Sequence, residues 1–202
     1  MEIGTSEGPA LAEMERPAVG DPVFLLVLTH GAGADPGSPD VLAVAGAALG
    51  LGGVVALVTQ PYRVKGRRAP GSTDRQDAAW MEVIAALRVA VGAGVPLIQG
   101  GRSNGARVAC RTAAAVGARA VVVLAFPLRP PRPMAPSRID ELRRARDSGA
   151  KVLVVSGERD PFGIPGASDA DRVVVVPGET HALKGHRAVI VAAVAEWLYA
   201  NL

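Results

Sequence analysis

Gly101-Arg102-Ser103-Asn104-Gly105 sets a serine between glycines two residues before and two residues after it. The segment follows the apolar run Leu97–Gly100 and precedes a helical stretch that opens at Asn104. A serine on so sharp a strand-to-helix turn takes a strained backbone conformation, and its hydroxyl stands clear of the chain. The flanking glycines let strand and helix approach each other. A serine hydroxyl alone is a poor nucleophile. It needs an adjacent base, and the base needs a carboxylate to orient it. Asp160 lies just past Lys151–Ser156, in Gly157-Glu158-Arg159-Asp160-Pro161, and His181 lies just past Val173–Val176, in Gly178-Glu179-Thr180-His181. The order along the chain is therefore serine, acid, histidine. Glu158 is the alternative acid, and His186, placed inside the last helix, is the alternative base. A fourth part is His30-Gly31-Ala32-Gly33, directly after Val23–Thr29. A loop of small residues there can aim backbone N–H groups at a developing oxyanion. The donors are assigned to the amides of Ala32 and Asn104, with Gly33 as the alternative second donor. His30 is read as a prop that holds this loop by hydrogen bonding.

The elements that must position these residues follow from the apolar pattern. Short runs rich in Val, Leu, Ile and Ala stand at Val23–Thr29, Val54–Thr59, Leu97–Gly100, Ala120–Ala125, Lys151–Ser156 and Val173–Val176. Nearly continuous apolar runs of this length are expected in a parallel sheet covered on both faces. Helices are expected between them at about 39–50, 74–92, 104–117, 137–148 and 184–201. Ser38 or Asp40 caps the first of these and Thr73 or Asp74 the second, while Gly92 and Gly117 stand where helices stop. The alternation predicts an α/β fold with right-handed crossovers. In a parallel sheet the loops after the strands share one edge, where Ser103, Asp160, His181 and the Ala32 loop can converge. Residues 1–20 form a poorly patterned segment with a short edge strand expected near Ala10–Glu15, and 21–202 form one domain. Pro127–Ser137, with five prolines in eleven residues, reads as a stiff connecting loop.

Composition excludes several classes. The 202 residues are 49% apolar and 20% charged, which suits a soluble globular chain. The single cysteine, Cys110, excludes an intrachain disulfide framework and a cysteine-based zinc site, and it reads as a small buried hydrophobe. Three histidines at 30, 181 and 186 offer no metal-ligand spacing. No cofactor loop is present, since Gly92-Ala93-Gly94 precedes a strand rather than following one. A net charge of +3 with only seven aromatic residues argues against a nucleic-acid partner. Val41–Val58 carries no charge, but Gly46, Gly50, Gly52 and Gly53 interrupt it, so it reads as helix, stop and strand rather than a membrane span. The N-terminal segment has no apolar core of a secretory signal, and a cytoplasmic location is expected. Arg63, Lys65, Arg67 and Arg68 form a basic loop that reads first as solvated. The alternative is that one or two of them, Arg63 included, face the site with Arg102 or Arg129 and favour an anionic substrate.

Six segments together resemble a known family. They are His30-Gly31-Ala32-Gly33-Ala34, Pro61-Tyr62-Arg63 with Gly66-Arg67-Arg68, Gly100-Gly101-Arg102-Ser103, Phe126-Pro127-Leu128, Gly157-Glu158-Arg159-Asp160-Pro161-Phe162-Gly163, and His181-Ala182-Leu183-Lys184. From about Val23 to the end the chain resembles the α/β-hydrolase fold, and within it the small dienelactone-hydrolase-like, testis-expressed-protein-30-like group. The resemblance implies a mostly parallel sheet of about six or seven strands with helices on both faces and a minimal cap or none. It also implies a triad of Ser103, Asp160 and His181. True dienelactone hydrolases carry cysteine where this chain has Ser103, so their particular activity is not implied. Arg129 stands where the group usually has histidine, and Asn104-Gly105-Ala106 replaces the common Met-Gly-Gly. The expectation is a serine hydrolase acting on small soluble esters or thioesters without a cofactor. The alternative is a non-catalytic interaction module on the same fold.

Overall fold

Buried strands form where the sequence is most continuously apolar. The computed structural model describes residues 1–34, 36–129 and 134–202. Its strands are β1 (Glu2–Ile3), β2 (Ala10–Glu15), β3 (Phe24–Thr29), β4 (Gly53–Thr59), β5 (Leu97–Arg102), β6 (Ala120–Leu124), β7 (Lys151–Gly157) and β8 (Arg172–Val176). Its helices are α1 (Pro39–Gly50), α2 (Pro61–Val64), α3 (Thr73–Val91), α4 (Asn104–Val116), α5 (Ile139–Asp147) and α6 (Arg187–Asn201). The eight strands make one sheet in the order β1-β2-β4-β3-β5-β6-β7-β8. β3 through β8 are parallel, and β1 and β2 join antiparallel at one side. The eighth strand beyond the expected range is β1, two residues long, paired to β2. It is too short to leave an apolar signature.

Period-two alternation sends successive residues of each strand to opposite faces. Leu25 and Val27 pack with Trp80, Ile84 and Leu87 of α3, Val108 and Ala109 of α4, and Leu142 of α5. Phe24, Leu26 and Leu28 pack with Val41 and Val44 of α1 and with Ile190, Val194 and Trp197 of α6. Both tryptophans are thus core anchors. The Trp80 indole also donates to Gln99 Oε1 at 2.7 Å, tying α3 to β5. Cys110 is buried in the first of these layers. Among the described residues, no helix is long and apolar enough to cross a membrane.

Some local readings change. The cap of α3 is Ser72, one residue before Thr73. Its side chain accepts the Arg75 amide at 3.3 Å, which satisfies a helix N–H that no carbonyl can reach. Asp40 does not cap α1; it turns inward and is buried. α2 is a single turn inside the basic loop, favoured by Pro61 at its first position. His186 lies just outside α6 as its N-terminal flanking residue, not within it. The proline-rich expectation falls partly on 130–133, which lie outside the described residues.

β3 and β5 are neighbours, yet the chain runs outward from them in opposite directions, β4 on one side and β6 on the other. Such a switch point opens a crevice at the carboxyl ends of the strands. The loops carrying Ala32 and Ser103 leave β3 and β5 there. Two glycines make the approach feasible. A Cβ on Gly101 would stand 2.5 Å from the Thr29 carbonyl oxygen, and one on Gly105 would stand 2.6 Å from the same atom and 2.8 Å from that of His30. Backbone cannot yield as a side-chain tip can. Gly105→Ala is therefore expected to cost roughly 1–3 kcal/mol, read as a lower urea midpoint, and to reduce activity by parting β3 from α4.

Candidate active site

Ser103 has φ 52° and ψ −109°, a conformation that L side chains rarely adopt. It persists because β5, α4 and the two glycine approaches over-determine the turn. The Ser103 amide donates to the Leu124 carbonyl at 2.9 Å, which pins the turn to β6. Asn104 begins α4, so its N–H has no carbonyl one turn back to engage it. Ala32 is exposed at the turn after β3 and lines the same cleft as Ser103 and Asn104.

Three sequence-predicted residues meet here. His181 Nε2 is 3.0 Å from Ser103 Oγ, and His181 Nδ1 is 2.8 Å from Asp160 Oδ2. A carboxylate only accepts, so Nδ1 carries the proton and Nε2 is left to accept from the serine hydroxyl. Asp160 is fully buried at its side chain, whereas His181 is 19% exposed. The other carboxylate oxygen, Oδ1, accepts the Phe162 amide at 2.9 Å. The Phe162 ring meets the imidazole edge-on, with centroids 4.6 Å apart. Glu158, the alternative acid, is exposed and accepts the Gly178 amide at 2.8 Å. His186 is bound to Glu179 at 3.0 Å.

Supporting contacts hold the loops. His30 is fully buried. The Gln60 amide donates to His30 Nε2 at 3.0 Å, so His30 Nδ1 carries the proton that reaches the Gly31 carbonyl at 2.9 Å. Tyr62 OH lies 3.4 Å from that Nδ1. Burial pushes the Tyr62 pKa up to about 12, with a hydrogen bond to the Asn104 side chain opposing the rise. Glu179 accepts the amides of Lys184, Gly185 and His186. The His186 side chain leads these contacts in holding the Glu179 carboxyl below its ordinary range.

Of the arginines offered as alternative substrate-facing residues, Arg102 and Arg63 have their side chains engaged elsewhere. Arg102 pairs with Asp40 at 3.0 Å and donates to the His181 carbonyl. Arg63 donates to the Ala34 carbonyl at 2.9 Å and so braces the Ala32 loop. Arg129 is exposed, and its amide donates to the Phe162 carbonyl. Gly33 is exposed at φ 74° beside the Arg68 carbonyl. Among the described residues, the cations that line the cleft are Arg107 and Arg138, with Pro127 and Phe162. Arg107 sits one turn beyond Ser103 on α4, so helical spacing alone could have found it. Arg138 lies on a distant loop and left no signal. The cleft is open, about 230 Å³, and no carboxylate is among its described lining residues. Both arms of Arg107 are held by Glu141, at 2.7 and 2.6 Å. Among the described residues, the Arg138 side chain has one hydrogen bond, at 3.4 Å to the Pro127 carbonyl. Burial, then the neighbouring Arg107, lowers its pKa from the ordinary arginine value. Among the described residues, no group of three or more His, Cys, Asp or Glu could hold a metal ion.

A family model described as alpha/beta hydrolase domain matches residues 22–179. No curated protein matches the sequence. Among solved structures, the chain is similar to Est1E from Butyrivibrio proteoclasticus with ferulic acid bound, at 15% identity and TM-score 0.79, covering 100% of this chain and 98% of that one. It is similar to an α/β serine hydrolase without lid from Xanthomonas campestris, at 18% identity and TM-score 0.79, covering 99% and 93%. It is also similar to a dienelactone hydrolase from Anabaena variabilis, at 17% identity and TM-score 0.75, covering 100% and 96%. At these identities the likeness establishes the fold.

Proposed function

The chain belongs to the alpha/beta hydrolase domain family, and from that premise we propose that it is a serine hydrolase of small esters or thioesters. The observation that carries the proposal is the unbroken relay from Asp160 Oδ2 through the imidazole to Ser103 Oγ, with links of 2.8 and 3.0 Å. The names of the structural neighbours, a lid-less serine hydrolase from Xanthomonas campestris and an esterase from Pyrobaculum calidifontis among them, support the same class.

The steps follow from the atoms. Ser103 Oγ attacks the carbonyl carbon as His181 Nε2 takes its proton. Asp160 steadies the imidazolium that forms and keeps its orientation. The negative charge that develops on the carbonyl oxygen is met by the Asn104 and Ala32 amides. His181 then protonates the departing alcohol or thiol, leaving Ser103 acylated. Water, deprotonated by His181, attacks the acyl-enzyme. Collapse of that second intermediate releases the acid and returns the proton to Ser103. An open cleft of about 230 Å³ suits a small acyl group better than a long lipid chain.

Labelling with a fluorophosphonate tests the reading. The wild-type protein is expected to react at Ser103. A folded wild type that takes no label would count against an activated serine. A second expectation concerns charge. Arg138 is the less engaged cation of the cleft, so substrates bearing a carboxylate should bind better than neutral analogues. Arg138→Met is expected to raise KM for the charged ester by about tenfold or more, as a charge-assisted hydrogen bond is lost, while sparing the neutral one. Equal KM changes for both esters would remove Arg138 from substrate recognition.

A further inference from the structure

One side chain joins the segments that the proposed chemistry needs in register. Arg102 ends β5 and is covalently next to Ser103. Its Nε lies 3.0 Å from Asp40 Oδ2, in the first turn of α1. Its Nη2 donates at 2.6 Å to the main-chain carbonyl of His181, 79 residues along the chain. Its Nη1 lies against Gly31, where a Cβ would stand 3.4 Å away. The guanidinium therefore touches the loop after β3, the helix that follows it and the loop after β8. It does so from a backbone position beside the serine.

The pair is enclosed. The Arg102 side chain is 15% exposed and that of Asp40 is 0% exposed. Removing either partner leaves the other charge with little water to replace it. The planar fork of arginine can serve a carboxylate and a carbonyl at once, whereas a lysine ammonium at the same place is a single point on a flexible stem. Other contacts on the base loop act elsewhere. Asp160 and Phe162 orient the imidazole ring. Glu179 secures Lys184 to His186, beyond the residue that carries the ring. Arg102 holds the backbone of His181 itself.

We infer that Arg102, locked by Asp40, is a positioning residue that sets the main chain at His181 so that the imidazole stays within reach of Ser103. Only the kinetic arm of its test rests on the hydrolase reading above.

The first arm needs no substrate. A proton held between His181 Nδ1 and Asp160 should give a low-field proton NMR resonance in the wild type, assigned by its absence in His181→Ala. Arg102→Met and Asp40→Asn are expected to broaden or lose that resonance, with Arg102→Lys in between. An unchanged resonance in folded Arg102→Met overturns the inference. If Arg102→Met does not fold, Arg102→Lys and Asp40→Asn carry the same readout, and an unchanged resonance in both is equally decisive. The second arm is kinetic. Arg102→Met is expected to lower kcat by about 10²-fold, the usual size for a small misplacement, with little change in KM. In a His181→Ala background the same substitution should cost nothing further, because it acts through His181. An equal fold-loss in both backgrounds would make Arg102 a general structural contact and defeat the inference. A wild type with the resonance but without fluorophosphonate labelling would remove the hydrolase reading and leave this one standing on the NMR.

Discussion

Ser103→Ala is expected to lower kcat for ester hydrolysis by roughly 10⁴–10⁶-fold and to abolish fluorophosphonate labelling, while the protein stays folded. The argument is local. The hydroxyl is both 3.0 Å from an imidazole nitrogen and carried on the turn next to the Asn104 amide. Nothing in the core leans on it, since Ser103 is only half-buried and makes no side-chain cap to α4. Its backbone is another matter. At φ 52° and ψ −109° any residue with a Cβ is strained, by an amount on the order of 1–3 kcal/mol. Ser103→Gly should be equally inactive yet more stable than Ser103→Ala. Urea titration of the two variants checks this. Full turnover in Ser103→Ala would end the covalent mechanism, and equal stability of the two variants would deny the strain.

Asp160→Asn is expected to lower kcat by about 10⁴-fold with little loss of stability. The two carboxylate oxygens have separate duties. Oδ1 accepts the Phe162 amide at 2.9 Å, and Oδ2 receives His181 Nδ1 at 2.8 Å. An asparagine must keep its oxygen toward Phe162, which turns its NH₂ toward His181. Two donors cannot face each other, so the imidazole moves its proton to Nε2 and can no longer accept one from Ser103. The variant therefore preserves shape and reverses polarity. Loss of the low-field His181 resonance together with loss of turnover is the expected pair of results. Retained turnover in Asp160→Asn would return the acid role to another group, with Glu158 the nearest by sequence.

Much of the fold was legible because its signals are local. The strand runs from Phe24 to Val155 are nearly all apolar, since a parallel strand with helices on both faces has no wet side, while β8 at the sheet edge is apolar but only half-buried. Gly92 and Gly117 end α3 and α4 as expected, because a residue at φ 127° or 62° favours glycine. The elbow was legible for the same reason: Gly101 and Gly105 are demanded by backbone approach within one turn of Ser103. Weaker local signals failed. Ser72 rather than Thr73 caps α3, since several neighbouring hydroxyls and carboxylates can serve and only backbone direction selects one. β1 and α2 are too short for any period to register.

The sequence by itself determined the layered α/β architecture and the strand–loop order that delivers Ser103, Asp160, His181 and Ala32 to one edge of the sheet. These follow from apolar periodicity and glycine placement, which act between near neighbours in the chain. Only the tertiary structure decided where the long cationic side chains end. Arg102 and Arg63 looked equally able to face the cleft, yet one reaches His181 across 79 residues and the other braces Ala34. Arg138 reaches the cleft instead. A guanidinium on three or four rotatable bonds can reach many acceptors, and its choice depends on which carboxylates and carbonyls the packed sheet and helices bring within about 3 Å.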